Sequence, residues 1–100
     1  MHGWWVLERH YRAGGGEIDL VARRGRVLAI CEVKTRAGPG AFPLVAPAQI
    51  ERIEKTASLL VASRPDLSEL EPRLDLILVI PRRHGPARVR HVPHGLERAR

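Results

Sequence analysis

Three acidic residues and one lysine stand inside two apolar segments of this chain, where charged side chains need a compensating reason. Glu17 and Asp19 lie in the first segment, and Glu32 and Lys34 lie in the second. Carboxylates that share a small space repel one another, which raises at least one pKa unless a cation lies among them. Because Mg²⁺ and Mn²⁺ favour oxygen ligands, the pattern predicts a divalent-metal site formed by Asp19 and Glu32. Glu17 is either a third ligand of that metal or an ordinary acid at the start of a strand.

The two segments have the residue types of an antiparallel β-hairpin. Both are rich in aliphatic and β-branched residues, and Gly25 between them is able to take the positive φ of a tight turn. A two-residue loop of Arg24 and Gly25 would place Asp19 opposite Ile30, so that Glu32 lies diagonal to the aspartate. Side chains alternate along a strand, and the three acids and the lysine therefore share one face of the hairpin, at diagonal separations of about 7–8 Å.

Lys34 follows Glu32 by two residues, so both side chains point to the same face. Its ammonium group could orient or deprotonate an attacking water, or neutralise charge that develops on a phosphoryl group. Metal-binding acids beside such a lysine are the parts of a phosphodiesterase. The competing interpretation is that the acids are exposed and form ordinary ion pairs with Lys34 and Arg36, each worth under about 1 kcal/mol. Spacing alone favours neither interpretation.

The same residues resemble the motif of a known superfamily. Asp19 and the triplet at 32–34, Glu-Val-Lys, resemble the PD-(D/E)xK motif of restriction-endonuclease-like nucleases. This resemblance implies a nuclease-like fold, nucleic-acid chemistry and catalytic roles for Asp19, Glu32 and Lys34. Similarity to archaeal Holliday-junction resolvases further implies branched DNA as a first substrate and a homodimer that aligns two active sites.

Longer strings of sequence resemble a more specific family. The segments at 15–22 and 32–36 look like the signature of the YraN-like family of uncharacterised bacterial proteins. The segments at 7–12 and 73–77 also resemble that family, so the likeness covers most of the chain.

The chain departs from the YraN-like pattern at accessory positions. Members usually begin with an additional amphipathic helix that bears a glutamate, whereas this chain opens almost directly on Trp4 and Trp5, so this helix is expected to be absent. His10 stands where the family generally has asparagine, and Gln49 stands where it often has lysine. Gln49 is either an accessory residue that reaches the site, as in other nuclease-like folds, or an exposed helix residue. Arg36 is the other accessory candidate.

The chain has a net charge of +6 and a pI near 11.0, which favours polyanionic partners. Only two of its 17 basic residues are lysines, and the rest are arginines, whose guanidinium groups bind phosphate in a bidentate manner. A genome rich in G and C would also favour arginine codons, so base composition is the competing explanation. The candidate nucleic-acid-binding residues are Arg12, Arg36, Arg82, Arg83, Arg88 and Arg90, the last four around a Gly-Pro turn.

At 100 residues the chain is predicted to form a single domain spanning 1–100. No apolar run approaches the roughly 20 residues that span a bilayer, and the first residues lack the charged and apolar regions of a signal peptide. We therefore predict a cytoplasmic protein with no membrane partner. Cys31, the one cysteine, lies on the strand face opposite Glu32 and is predicted to be a reduced, packed thiol.

The remaining sequence supplies the elements that position these residues. Apolar residues at three- and four-residue spacing after Pro47 predict an amphipathic helix to about Ser63, which packs on the sheet. The strand after this helix is expected to run parallel to the strand of Glu32 through a crossover. His91 and His94 have a spacing seen in zinc sites, but no second pair of cysteines or histidines accompanies them, which predicts surface residues. The predicted strands are 4–11, 17–22, 27–34, 74–80 and 89–92, with a flexible connection at 14–16 and a loop at 35–47 beside the site.

The resemblance and these elements together predict an α/β fold of the restriction-endonuclease-like class, with a mixed sheet of about five strands and one long helix. The predicted function is a Mg²⁺- or Mn²⁺-dependent endonuclease that hydrolyses DNA phosphodiester bonds. The first alternative is a non-catalytic nucleic-acid-binding module that keeps the nuclease scaffold. The second is a basic protein-interaction domain, which would show no salt-dependent retention on DNA.

Overall fold

The computed structural model describes residues 2–36 and 42–98, and the part of the predicted loop at 37–41 lies outside these residues. The described residues form five strands and two α-helices, which confirms the predicted α/β class with a mixed five-stranded sheet and one main helix. Among them, no helix is both long enough and apolar enough to cross a membrane. In chain order the elements are β1 Trp5–Ala13, β2 Gly16–Arg24, β3 Val27–Thr35, α1 Pro47–Ser63, a 3₁₀ turn Pro65–Leu67, β4 Glu71–Ile80, β5 Arg88–Val92 and α2 Gly95–Arg98.

The strands lie in the sheet in the order in which they occur in the chain. β3 and β4 pair in parallel, whereas the other neighbours are antiparallel. Parallel neighbours need a crossover connection, and α1 provides it. The ladder is continuous from Val27 beside Glu71 to Thr35 beside Val79. The prediction that the strand after the helix runs parallel to the strand of Glu32 is therefore confirmed.

The β2–β3 hairpin closes one residue later than the sequence predicts. Arg24 is the last paired residue of β2, so the loop consists of Gly25 and Arg26. The prediction that Asp19 lies opposite Ile30 is therefore wrong, by two residues along the strand. Gly25 has φ 59° at the first loop position, where type II′ turns place glycine, whereas the prediction set glycine at the second. Because a shift of two residues keeps side chains on their faces, the predicted shared face does not depend on this error.

Helix α1 packs on one face of the sheet and supplies much of the core. The predicted bounds of this helix, Pro47 to Ser63, are confirmed, and the proline occupies the first turn, where it costs no helix hydrogen bond. Burial of each large apolar side chain stabilises the fold by about 1.5–3 kcal/mol, so the apolar stripe of α1 is a main source of stability. The core on this face includes Ile18, Val21, Leu28, Ile30, Ile50, Ile53, Leu60, Leu76 and Leu78.

The opposite face of the sheet has a smaller apolar cluster. Ala29, Cys31 and Ile77 are buried there, and Trp4 packs against them. The thiol of Cys31 is 1% exposed, and burial, reinforced by the charge of Asp75, raises its pKa to about 12. The predicted packed thiol is therefore confirmed.

A buried carboxylate joins β4 to β5 on this second face. Asp75 is fully buried and accepts two hydrogen bonds from Arg73, at 2.9 Å each, and one from the backbone N–H of His94 at 3.0 Å. His91 Nε2 lies 2.7 Å from Asp75 Oδ2. Burial alone would raise the pKa of Asp75, but these hydrogen bonds outweigh it and hold the pKa below its usual value. His91 is therefore partly buried, so the prediction of two surface histidines holds for His94 and is wrong for His91.

Close packing at Gly16 fixes α1 against the start of β2. A Cβ atom at this position would collide with Oγ1 of Thr56 and press on the carbonyl oxygen of Arg52, both on α1. Thr56 Oγ1 lies 2.9 Å from the carbonyl oxygens of Ala13 and Arg52, so its hydroxyl group links β1 to α1. The first turns of α1 therefore lie against the acidic end of β2.

Candidate functional site

The candidate site forms where β2 and β3 separate. The last pair of their ladder is Leu20 and Cys31, which lie next to Asp19 and Glu32 along the two strands. Beyond that pair, Asp19 Oδ2 accepts a hydrogen bond from the backbone N–H of Val33, at 2.8 Å. The side chain of Asp19 thus takes over from the backbone in joining the strands, and this bond holds its carboxylate beside Glu32.

Glu32 lies in the interior of this junction, with only 8% of its surface exposed. Burial raises its pKa most, and the charge and hydrogen bond of Asp19 raise it further, to about 7. Lys34 opposes this shift, since its Nζ lies 3.5 Å from Glu32 Oε1. At neutral pH the carboxylate pair is therefore close to taking up a proton, or a cation in its place.

A cleft of about 180 Å³ opens in front of these carboxylates. Glu17, Asp19 and Glu32, the three predicted metal ligands, all line it, and Gln49 reaches it from the first turn of α1. Arg52 lines the cleft as well and was not predicted. The volume is below the roughly 300–1,000 Å³ of small-molecule pockets, which favours an ion or a phosphate group as the occupant.

His10 of β1 is a further potential ligand that the sequence analysis missed. Its Nδ1 lies 3.3 Å from Glu17 Oε1, and one ligand atom from each of His10, Glu17 and Asp19 lies within 4.8 Å of the others. The signal that could have found it is the Gly14-Gly15 pair. Both glycines have positive φ, 59° and 81°, and form a two-residue turn between β1 and β2. Counted back from this turn, His10 stands across from Asp19.

Two predicted arginines lie near the site without lining the cleft. Arg12 Nε is 3.4 Å from Glu17 Oε1, so Arg12 pairs with a candidate metal ligand. The guanidinium group of Arg36 donates to the carbonyl oxygen of Thr35 at 2.7 Å, and its backbone N–H donates to Val79. Arg36 therefore lies at the end of the sheet, just beyond β3.

The segment 81–90, here named the arginine hairpin, is exposed along its whole length. Arg82 Nε donates to the carbonyl oxygen of Pro86 at 2.9 Å, which stabilises the turn. In the sheet, Lys34, Leu78 and Arg90 lie side by side, so the arginine is two strand spacings, about 9–10 Å, from the lysine. Arg88 lies two rows further toward the sheet end, opposite Ile80. The hairpin thus places basic side chains at the same end of the sheet as Lys34.

Known proteins resemble this chain over most of its length. The model of Uncharacterised protein family UPF0102 matches residues 1–79, which include every residue that lines the cleft. A UPF0102 protein of Parvibaculum lavamentivorans is 42% identical over 84 residues, covering 83% of this chain and 63% of that protein. One from Kineococcus radiotolerans is 39% identical over 93 residues, covering 90% and 76%. One from Paramagnetospirillum magneticum is 44% identical over 98 residues, covering 93% and 73%.

The first of these matches spans less than two thirds of the relative's length, so the relative contains sequence that the match does not cover. The resemblance to an uncharacterised bacterial family, expected from the strings around the acids, is confirmed. The chain belongs to the uncharacterised protein family UPF0102.

Proposed function

We propose that this chain is a divalent-metal-dependent nuclease that hydrolyses phosphodiester bonds of DNA. The proposal rests on one observation, the pair of carboxylates where β2 and β3 separate, in which Asp19 is held by Val33 and Glu32 is buried beside it. Burying one acid against another is costly unless a cation offsets the charge. Lys34, at 3.5 Å, offsets it only in part, because the pKa of Glu32 stays raised.

The donor set suits Mg²⁺ or Mn²⁺. Asp19 and Glu32 would supply carboxylate oxygens, Glu17 would supply a third, and Gln49 offers an amide oxygen in the same cleft. When bound, the ion would supply Lewis-acid chemistry at the phosphoryl group. The side chain of Lys34 is 24% exposed, so its ammonium group can donate to a phosphoryl oxygen and stabilise charge that builds up there.

The basic end of the sheet supports a nucleic-acid substrate. Lys34 and Arg90 lie in one row of the sheet, and Arg88 lies two rows further toward the sheet end, where phosphates could be bound. Branched DNA and a homodimer belong to the proposal by analogy with Holliday-junction resolvases. A cytoplasmic location stays a prediction.

The test is cleavage of branched, duplex and single-stranded DNA by the purified chain with Mn²⁺, with Mg²⁺ and with neither ion. We expect metal-dependent cleavage that is lost in Lys34→Ala and in Asp19→Asn, which keeps an acceptor for the backbone N–H of Val33. Lys55→Ala is the matched control, because Lys55 is the one other lysine and is exposed on α1. Cleavage that survives both site variants would come from a contaminating nuclease, and intact DNA under every condition would contradict the proposal.

Non-catalytic nucleic-acid binding is the second candidate, and the exposed arginine hairpin favours it. It predicts binding without cleavage, with a log–log salt slope of about −0.9 for each duplex phosphate that is neutralised. Asp19→Asn would then leave the affinity unchanged or raise it, because the substitution removes a charge that repels phosphate. The cleavage assay distinguishes the two candidates directly.

A further inference from the structure

His10, Glu17 and Asp19 form a cluster of metal-binding groups in which the proposed nuclease uses the two carboxylates and leaves His10 unexplained. Their ligand atoms lie within 4.8 Å of one another, and His10 Nδ1 is 3.3 Å from Glu17 Oε1. Mg²⁺ favours oxygen ligands, whereas an imidazole offers nitrogen. The histidine therefore adds a donor of a different chemical class to this edge of the site.

The separations in the cluster match those around a transition-metal ion. Nitrogen and oxygen ligands lie about 2.0–2.2 Å from such an ion, which places two ligands of a tetrahedral site about 3.4 Å apart. The 3.3 Å between His10 and Glu17 agrees with this separation, and the 4.8 Å limit leaves Asp19 within a small side-chain rotation of it. The ligands come from two strands that are paired on either side of His10, and this pairing brings the two strands together at the cluster.

Arg12 and the backbone N–H of Val33 also contact these carboxylates, and neither blocks the cluster. Arg12 Nε lies 3.4 Å from Glu17 Oε1, but the arginine side chain is 79% exposed, so the ion pair is weak and a divalent ion can displace it. The backbone N–H of Val33 donates to Asp19 Oδ2 and uses one of several lone pairs on that carboxylate. The side chain of His10 is 73% exposed, so ions reach the cluster from solvent.

We propose that His10, Glu17 and Asp19 bind a borderline transition-metal ion of the Co²⁺, Ni²⁺ and Zn²⁺ class in preference to Mg²⁺. Imidazole suits these ions, and sites of this kind bind them in the Irving–Williams order. The inference deepens the proposed function and rests on it through Asp19 and Glu17, which both positions share. Because both carboxylates are shared, His10 is the residue that sets the metal preference of the site.

Titration with Co²⁺ tests this inference, because Co²⁺ absorbs visible light according to its ligands and Mg²⁺ does not absorb. We expect the purified chain to bind Co²⁺, and we expect Zn²⁺, but not an excess of Mg²⁺, to compete. His10→Ala should weaken Co²⁺ binding by at least about tenfold, equivalent to about 1.4 kcal/mol. His84→Ala, at an exposed histidine of the arginine hairpin, is the matched control and should leave binding unchanged. Circular dichroism would verify that both variants fold.

Glu32→Gln separates this position from the proposed nuclease site, because it removes a ligand of the nuclease metal alone and should retain Co²⁺ absorption. Glu17→Gln removes a ligand that both positions share and should lower Co²⁺ affinity. Equal Co²⁺ affinity in His10→Ala and the unaltered protein would overturn the inference and leave the His10–Glu17 contact as an ion pair. Absence of DNA cleavage with Co²⁺ binding intact would contradict the proposed nuclease and leave this inference standing.

Discussion

Glu32 couples the candidate site to the stability of the fold through a single proton. Burial and the neighbouring Asp19 raise its pKa in the folded protein from the ordinary 4.5 to about 7. The folded state therefore binds this proton more tightly than the unfolded state does. The stability linked to Glu32 is complete below about pH 4.5 and is lost as the pH rises through about 7. Near neutral pH, the charged form of Glu32 thus weakens the metal-free fold.

Glu32→Gln should make the metal-free protein more stable than the unaltered chain at pH 8. Glutamine cannot ionise, so the variant escapes a cost of up to about 3 kcal/mol, at about 1.4 kcal/mol per pKa unit. Below pH 4.5 the two proteins should differ little. Urea unfolding in the presence of a chelator at both pH values measures the difference, with the exposed Glu51→Gln as the control. Lower stability of Glu32→Gln at pH 8 would mean that Lys34 stabilises the charged carboxylate, against this argument.

The residues of the site differ in how far sequence could predict them. Asp19, Glu32 and Lys34 follow a short motif on two adjacent strands, so local alternation and family resemblance were enough to group them. The sequence does not decide the position of Gln49, since only the packing of α1 on β2 brings this side chain to the cleft. His10 was missed because its place depends on a turn whose φ values the letters Gly-Gly permit but do not fix.

Among the elements, α1 was predicted with its bounds because its signals are local, a proline in the first turn and apolar residues at helical spacing. The β2–β3 register was not, since one glycine is compatible with either position in a two-residue loop. The burial of Asp75 depends on His91 of β5 and on His94, the residue before α2, which lie 16 and 19 residues further along the chain. An isolated strand sequence therefore gives no reason to expect it.

The contact between α1 and β2 at Gly16 should be sensitive to one added methyl group. Gly16→Ala would push Thr56 and the Arg52 backbone away, which should destabilise the protein by about 1–3 kcal/mol. A double-mutant cycle in urea tests the cause, because Thr56→Ala removes the hydroxyl that the new methyl meets. The cost of Gly16→Ala should be smaller in the Thr56→Ala background. Equal costs in the two backgrounds would show that this contact does not limit the approach of α1.

The junction of β4, β5 and α2 should depend on Asp75. Asp75→Ala leaves Arg73 and His91 without their carboxylate and should destabilise the protein by about 3–5 kcal/mol. Because the folded pKa of Asp75 is lowered, its stabilising contribution is present above the ordinary aspartate pKa and is lost as the pH falls through the folded value. Urea unfolding at pH 7 measures the effect, and the exposed Asp66→Ala should cause little change. If Asp75→Ala lowered the free energy of unfolding as little as the control does, Asp75 would not be the residue that holds β4, β5 and α2 together.

At the scale of the whole molecule, the net charge of +6 contributes to nucleic-acid binding only if the arginine hairpin contacts phosphate groups. Arg88→Ala with Arg90→Ala should weaken duplex DNA binding and reduce the magnitude of its salt slope by about 2, roughly 1 for each phosphate that is no longer neutralised. Binding measured at several salt concentrations provides the slope. Arg23→Ala, exposed at the opposite end of the sheet, should leave it unchanged. An unchanged slope in the double variant would mean that the arginine bias follows base composition instead.

The thiol of Cys31, in the central strand, can report transient local opening of the sheet. Cys31 is 1% exposed and its raised pKa keeps it protonated, so an alkylating reagent must wait until β3 parts from its neighbours. The rate of alkylation therefore measures how often β3 separates from its neighbours, without any engineered probe. An ion that binds the adjacent carboxylates in solution should slow the labelling of Cys31. The extent to which each candidate ion slows the labelling would rank these ions before their chemistry is known.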